Sequence, residues 1–150
     1  MIFYSTEVLL TLEYLHNNHI IYRDLKPENI VLNMNQRGHI NLVDFGFSKQ
    51  MKYADQRCFT NCGTPVYIAP EILRGSGYSY EVDVWSFGVL MVEIVSGKTP
   101  FQAENTTMTY DKIMKSTPTY TRLVSQQLRD LLDKIFVSDP SMRINFEEIK

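Results

Sequence analysis

One segment constrains the fold more than any other, because it has the length of a helix and is apolar on nearly all sides. Within residues 82–95 the charged side chains are those of Asp83 and Glu93. The segment ends at Gly97, a common helix terminator, and it is shorter than the about 20 apolar residues that cross a bilayer. We therefore predict that residues 81–96 form a helix that other elements bury, and we expect no membrane partner.

The remaining secondary structure is predicted from the spacing of apolar residues. Helical spacing occurs in four further segments, residues 6–16, 104–115, 125–136 and 145–150. Short apolar or alternating runs predict strands at residues 20–21, 30–32 and 39–43. Residues 47–69 show no sustained period and are predicted to be a long ordered or switchable loop; loops of that length are usually functional or disordered. The predicted fold class is mainly α with short β-ribbons, in one domain over residues 1–150.

Length, charge and cysteine content exclude several classes of function. The 150 residues are 44% hydrophobic, enough for the core of one domain, and no repeat or linker divides them. There are 15 basic and 17 acidic residues, and because no basic stripe is present we predict no nucleic-acid partner. Residues 1–7 lack a basic region and a cleavage site, so a cytoplasmic or nuclear location is expected. Cys58 and Cys62 have no partners for a metal site nearby and are interpreted as reduced thiols.

Two short stretches carry residues that suit phosphate chemistry. Residues 22–29 read Tyr-Arg-Asp-Leu-Lys-Pro-Glu-Asn, and residues 44–46 read Asp-Phe-Gly. Asp24 and Asp44 supply carboxylates and Asn29 supplies an amide oxygen, which are the hard oxygen ligands that Mg²⁺ takes in proteins. Phosphoryl transfer needs such ligands together with a group that aligns the attacking hydroxyl. The two stretches therefore predict a site for a metal-bound triphosphate.

Four motifs, in this order along the chain, resemble the signature of the protein kinases. They are residues 22–29, Asp-Phe-Gly at 44–46, Ala-Pro-Glu at 69–71 and Asp-Val-Trp at 83–85. Asp-Leu-Lys-Pro-Glu-Asn is similar to the serine/threonine kinases, and Tyr22 with the segments 44–49 and 62–67 resembles the AGC group, particularly the cyclic-nucleotide-dependent kinases. The resemblance covers residues 6–143. It implies the C-terminal lobe of a kinase fold, an α+β lobe without the N-terminal β-sheet lobe.

The resemblance implies transfer of the γ-phosphate of ATP to a serine or threonine hydroxyl, with ATP and Mg²⁺ as cofactors. Asp24 would accept or orient the proton of the substrate hydroxyl, Lys26 would contact the γ-phosphate, and Thr64 would hydrogen-bond both side chains. The implied catalytic residues are Asp24, Lys26, Asn29, Asp44 and Thr64. The residues implied to bind the nucleotide or its metal are Lys26, Glu28, Asn29, Val31 and Asp44. Of these, Asn29 and Asp44 would be the metal ligands, and Val31 would form the floor beneath adenine.

A substrate surface and a switch are also implied by the resemblance. Glu28 and Glu93 would read basic residues near the target hydroxyl of protein substrates, beside Gly63 and Pro65. Thr60 would carry an activating phosphate held by Arg23 and Lys49, since a phosphate adds about −1.5 to −2 charge and three acceptor oxygens. The alternative for Thr60 is an ordinary solvated loop residue. Five positions would be structural: Tyr22 and Phe45 in an apolar stack, Glu71 and Arg143 in an ion pair, and Asp83 as a brace of the catalytic loop.

Three parts of a complete kinase do not occur in the 150 residues: the glycine-rich loop, the strand lysine and the helix glutamate that pairs with it. We therefore expect a kinase fragment with negligible activity alone, because half of the nucleotide cleft is absent. The apolar floor around Val31 and Phe45 would face water unless a regulatory subunit or the missing lobe covers it. The alternative is a non-enzymatic, pseudokinase-like binding module that uses the helical lobe and the activation loop.

Overall fold

The computed structural model describes residues 2–36, 38–53 and 55–150. Its α-helices are α1 (Ile2–Asn17), α2 (Pro70–Arg74), α3 (Glu81–Ser96), α4 (Thr106–Met114), α5 (Gln126–Ile135) and α6 (Phe146–Ile149). Its strands are β1 (Ile20–Ile21), β2 (Ile30–Asn33), β3 (His39–Leu42) and β4 (Lys49–Gln50). Short 3₁₀ helices occupy Pro27–Asn29, Met34–Gln36, Pro65–Tyr67 and Pro140–Met142. The predicted class, mainly α with short β-ribbons, is confirmed.

Helix α3 lies at the centre of the core, as its apolar sequence predicts. Residues 82–92 are all buried, and Trp85 stacks on Phe101 with the ring centroids 5.1 Å apart. Gly88 allows α5 to approach, because a Cβ atom at this position would lie 2.6 Å from Ile135 Cγ2. In the described part of the chain no helix, α3 included, has the length and apolarity needed to cross a bilayer.

Two short antiparallel ribbons flank residues 22–29. Strand β2 pairs with β3, with Ile30 opposite Leu42, and β1 pairs with β4. Helix α1 contacts β3, where the Glu7 carboxylate accepts a hydrogen bond from the Ile40 N–H at 2.9 Å. Residues 22–29 therefore leave one ribbon and enter the other, which fixes both ends of this loop.

Polar side chains explain where three of the helices begin. Asn105, Ser125 and Asn145 each accept a hydrogen bond from the backbone N–H three residues later, at 2.9, 3.3 and 3.0 Å. The Glu148 carboxylate accepts a hydrogen bond from the Asn145 N–H at 3.0 Å and completes a capping box. These side chains satisfy N–H groups that have no partner within the helix. Helices α4, α5 and α6 therefore begin directly after them.

The structure differs from the sequence predictions at three places. Helix α1 begins before residue 6, because Phe3 in its first turn packs on the His39 ring of β3 with centroids 5.5 Å apart. Helix α2 was not predicted, since its five residues are too few to show a helical period; Pro70 marks its start. The prediction of a continuous loop over residues 47–69 was wrong at β4 and at the 3₁₀ turn, because such short elements carry no periodicity and depend on their tertiary partners.

Candidate active site

One buried carboxylate from α3 holds the start of residues 22–29, which we call the catalytic loop after the resemblance. The Asp83 carboxylate accepts hydrogen bonds from the backbone N–H groups of Tyr22 and Arg23, each at 2.8 Å. The Nε2 atom of His16 lies 2.8 Å from the same carboxylate. Arg23 has a left-handed φ of +69°, a conformation that costs a non-glycine residue about 1–3 kcal/mol. The bonds to Asp83 keep Arg23 in this conformation, at the position where the resemblance places the brace.

Asp24 lies at the centre of a hydrogen-bonded cluster and is only 3% exposed. Its Oδ2 accepts hydrogen bonds from Lys26 Nζ at 2.7 Å and from Asn29 Nδ2 at 3.0 Å. Its Oδ1 accepts one from the Thr64 hydroxyl at 3.0 Å, and Lys26 Nζ also lies 3.4 Å from Thr64 Oγ1. Four of the predicted site residues therefore meet at one carboxylate, although Thr64 is 40 residues from Asp24 in sequence.

Asp44 lies in the same region as Asp24. The Val43 N–H donates to the backbone carbonyl of Asn29 at 2.9 Å, so Asp44 directly follows a residue bonded to Asn29. The Tyr22 hydroxyl donates to the Val43 carbonyl. Burial is the main cause that raises the pKa of Tyr22, and the negative charges of Asp24 and Asp44 raise it further. Both carboxylates are therefore within electrostatic range of one hydroxyl group.

An apolar face lies open beside these carboxylates. Val31 is 47% exposed and Phe45 is 46% exposed, so both apolar side chains face water in this structure. The Phe45 ring meets the Tyr22 ring edge-on, with the centroids 5.3 Å apart. This contact joins the exposed face to a side chain that is itself buried.

Two acidic side chains act on the Tyr67 hydroxyl. The Tyr67 hydroxyl donates a hydrogen bond to Glu93. Burial raises the pKa of Tyr67, and the charges of Glu93 and Glu28 raise it further, so both acids lie near this hydroxyl. Gly63 has a φ of +110°, and a Cβ atom there would lie 3.1 Å from a backbone oxygen of the catalytic loop. Pro65 begins the 3₁₀ turn that contains Tyr67. The four residues predicted to contact substrate therefore border the catalytic loop or Tyr67.

Thr60 is exposed, and its backbone is linked to Arg23 through one tyrosine hydroxyl. Its backbone carbonyl accepts a hydrogen bond from the Tyr78 hydroxyl at 2.7 Å, and that hydroxyl accepts one from Arg23 at 2.9 Å. Burial raises the pKa of the Cys58 thiol, whereas Arg23 and Lys49 lower it. Both cations therefore lie within electrostatic range of a residue two positions before Thr60.

Glu71 and Arg143 form a fully buried ion pair. Arg143 donates to the Glu71 carboxylate at 2.6 and 2.9 Å, and both side chains are 0% exposed. Arg143 also donates to the backbone carbonyls of Glu81 and Val137, at 2.8 and 3.0 Å. Its guanidinium stacks over the Trp85 ring, 5.0 Å from the centroid. The pair thus connects α2, α3 and the chain after α5.

A comparison with protein families identifies the family of this chain. The family model described as "Protein kinase domain" matches residues 1–150. The chain belongs to the protein kinase family. Similar curated proteins include protein kinase C delta type of Rattus norvegicus, 43% identical over 142 residues, and cAMP-dependent protein kinase type 3 of Saccharomyces cerevisiae, 48% identical over 142 residues. Ribosomal protein S6 kinase beta of Caenorhabditis elegans is 44% identical over 153 residues.

These relatives confirm the predicted AGC-type serine/threonine kinase resemblance. The three alignments cover 95%, 95% and 99% of this chain but 21%, 34% and 28% of the respective relatives. The chain thus spans at most about a third of the length of these curated relatives.

Three side chains at the candidate site were not identified from the sequence. Tyr67 holds Glu93, Tyr78 connects Arg23 with Thr60, and His16 contacts Asp83. His16 and Asp83 are 67 residues apart in sequence. No single-sequence signal identifies these residues, because each acts through a tertiary contact and none has an unusual residue type or spacing.

Proposed function

We propose that this chain is the C-terminal lobe of a serine/threonine protein kinase and carries the residues that transfer the γ-phosphate of ATP to a serine or threonine hydroxyl. The observation that carries this proposal is the buried Asp24 carboxylate with hydrogen bonds from Lys26, Asn29 and Thr64. These contacts fix both carboxylate oxygens before a substrate binds. Catalysis by positioning requires groups that are held in this way.

Asp24 accepts or orients the proton of the attacking hydroxyl in this proposal. Assistance by a general base is worth about 10²–10⁴-fold in rate. Lys26 Nζ lies 2.7 Å from Asp24 Oδ2, so its positive charge lies beside the reacting groups and offsets negative charge on the transferred phosphoryl group. Thr64 holds the other oxygen of Asp24 and prevents the carboxylate from rotating.

Asn29 and Asp44 fit the chemistry of Mg²⁺ ligands. Asn29 uses its Nδ2 atom for Asp24, which leaves its side-chain carbonyl oxygen for a cation. Asp44 is exposed and uses one carboxylate oxygen to accept the Gly46 N–H at 3.1 Å. Magnesium is held in proteins by one or two such oxygens together with substrate phosphates and water. When bound, Mg²⁺ and ATP supply the phosphoryl group and the charge that stabilises it, and Val31 with Lys26 and Glu28 completes the proposed nucleotide contacts.

The proposed substrates are proteins with basic residues near the target hydroxyl. Glu28 is exposed and Glu93 is half-buried, and both lie near the Tyr67 hydroxyl. Two neighbouring acids attract arginine or lysine side chains. Gly63 and Pro65 form the adjacent surface for the residue that follows the target.

Phosphorylation of Thr60 is the proposed switch. Arg23 and Lys49 are the proposed partners of the phosphate, because both charges act on Cys58, two positions before Thr60, and Arg23 is linked to the Thr60 carbonyl through Tyr78. A phosphate would add charge-assisted hydrogen bonds to these cations and order the loop.

ATP turnover by the 150 residues alone is expected to be negligible, because they contain no glycine-rich loop to enclose the phosphates. A regulatory subunit or an N-terminal lobe is the proposed partner for the exposed face of Val31 and Phe45. We place the protein in the cytoplasm or nucleus, where ATP is available and where thiols such as those of Cys58 and Cys62, both free here, stay reduced.

A non-enzymatic binding module is the second candidate, and the same exposed apolar face favours it. In that case a partner would cover Val31 and Phe45 without any phosphoryl transfer. The intact cluster around Asp24 favours the enzyme, because a binding module has no need of a fixed buried carboxylate.

The test uses a chimaera in which the N-terminal lobe of the yeast cAMP-dependent protein kinase type 3 precedes this chain. We expect it to transfer ³²P to a peptide with arginine upstream of serine, and we expect Asp24→Asn to reduce the rate by about 10²–10⁴-fold. Asp133→Asn is the matched control, because Asp133 is exposed and distant in sequence from the loop. Equal rates for Asp24→Asn and the parent would refute the catalytic assignment. A folded chimaera without transfer would favour the binding module.

A further inference from the structure

We infer that Tyr78 is a positioning residue that couples the phosphorylation state of Thr60 to Arg23 in the catalytic loop. The inference rests on the proposed function, since it assigns the route by which the proposed switch reaches the site. Tyr78 precedes α3 and is 1% exposed. Its backbone pairs with Cys58 through hydrogen bonds of 2.8 and 3.0 Å in both directions. Tyr78 is therefore fixed between α3 and the loop that carries Thr60.

The Tyr78 hydroxyl joins three separate parts of the chain. It donates its proton to the Thr60 carbonyl at 2.7 Å and accepts a hydrogen bond from Arg23 at 2.9 Å. The Cys62 sulfur lies 3.6 Å from the same oxygen. Burial raises the pKa of Tyr78, so the proton that Thr60 accepts stays in place. The Thr60 backbone and the Arg23 guanidinium are thus both within hydrogen-bond reach of one atom.

The Arg23 guanidinium uses only some of its donors for hydrogen bonds within the described residues. Its Nε donates to the Phe47 carbonyl and its NH1 donates to Tyr78. A guanidinium has five N–H donors, so the NH2 group keeps its donors for another acceptor; within the described residues no hydrogen bond involves NH2. The backbone of Arg23 is in the left-handed region at φ +69°, and Asp83 anchors it. A phosphate on Thr60 that binds this free end of the guanidinium would act on the residue directly before Asp24, because the Arg23 backbone is anchored.

Removal of the Tyr78 hydroxyl separates this role from simple packing. Tyr78→Phe keeps the ring and the backbone bridge to Cys58 but deletes the atom shared by Thr60 and Arg23. Tyr80→Phe is the matched control, because the Tyr80 hydroxyl is also buried but has no hydrogen-bond partner within the described residues. Both variants lose one oxygen atom from a tyrosine in the same segment.

The experiment compares the full chain with threonine or with phosphothreonine incorporated at residue 60 during translation. We expect phosphorylation to raise the melting temperature of the parent and of Tyr80→Phe, and to raise that of Tyr78→Phe by a clearly smaller increment. Removal of the phosphate by a broad-specificity phosphatase should be about tenfold faster in Tyr78→Phe, the ratio that one hydrogen bond to a charged group commonly provides. A purely structural role would lower the melting temperature of both forms equally and leave the increment unchanged.

Two outcomes overturn the inference, and they can be told apart. Equal increments in all three chains would show that Thr60 phosphate docks without help from Tyr78. No increment in the parent would refute the docking of Thr60 itself, and the coupling with it. If Tyr78→Phe does not fold, ¹⁹F NMR of the parent with 3-fluorotyrosine at residue 78 replaces it. The resonance must then shift on phosphorylation, whereas that of 3-fluorotyrosine at residue 80 must not; an unchanged resonance at 78 overturns the coupling.

Discussion

The buried pair of Glu71 and Arg143 makes the stability of this lobe strongly dependent on one carboxylate. Glu71→Gln would leave the Arg143 cation, which is 0% exposed, without a counter-charge. The carbonyls of Glu81 and Val137 would remain as acceptors, but Nε already has no partner within the described residues. Breaking a buried pair by removal of one partner costs about 3–5 kcal/mol. Since domains are stable by only about 5–15 kcal/mol, we expect a large fall in the free energy of unfolding.

Urea denaturation followed by circular dichroism measures this loss, provided that the m-value is unchanged. The control is Glu81→Gln, which breaks the exposed pair of Glu81 with Arg57, 3.1 Å apart, where about 0–1 kcal/mol is expected. The double variant with Glu71→Gln and Arg143→Met should recover part of the loss, because no buried charge remains. Recovery would be incomplete, because the two carbonyls lose their donor. A loss for Glu71→Gln no larger than that for Glu81→Gln would refute the reasoning.

Two further predictions concern α3. Gly88→Ala is expected to lower the free energy of unfolding by about 1–3 kcal/mol, because the new Cβ atom would lie 2.6 Å from Ile135 Cγ2. In the same denaturation assay, the double variant with Ile135→Ala should lose less stability than the sum of the two single variants. Asp83→Asn is expected to destabilise the chain by about 1–3 kcal/mol and to slow phosphoryl transfer in the chimaera, because an amide offers one acceptor oxygen where the two carboxylate oxygens now serve three neighbours. Full activity of Asp83→Asn would contradict the assignment of Asp83 as the brace.

The sequence predicted the parts of the fold that leave a local pattern. Helix α3 was predicted from its apolar run, and α4 and α5 were predicted to within a few residues from the helical spacing of their apolar side chains. Helix α2 was not predicted, since five residues are too few to show a period. Strand β4 was not predicted, since its two residues, Lys49 and Gln50, are polar and form no apolar run like that of β1. These elements form because of their partners, as in the pairing of β4 with β1.

The candidate site was likewise predicted only in part from the sequence. The residues of the Asp24 cluster were predicted from motifs, and the structure brings them together. The contacts that hold the cluster were partly missed, because they join distant positions: His16 lies 67 residues from Asp83, and Tyr78 lies 55 residues from Arg23. A motif preserves the residue types that chemistry requires, but the neighbours that orient them are determined by packing, and several residue types can fill such a position.

Helix α3 positions two parts of the proposed site without an N-terminal lobe. Asp83 near the start of α3 anchors the catalytic loop, and Glu93 near its end holds the Tyr67 hydroxyl. Ten residues of helix separate them, which is about 15 Å at the usual rise. Because one rigid, buried helix sets this distance, the separation between the catalytic loop and the proposed substrate contacts does not depend on an N-terminal lobe. In the proposed function that lobe would provide enclosure of the nucleotide over Val31 and Phe45, so we expect peptides with basic residues to bind this chain even where ATP is not turned over.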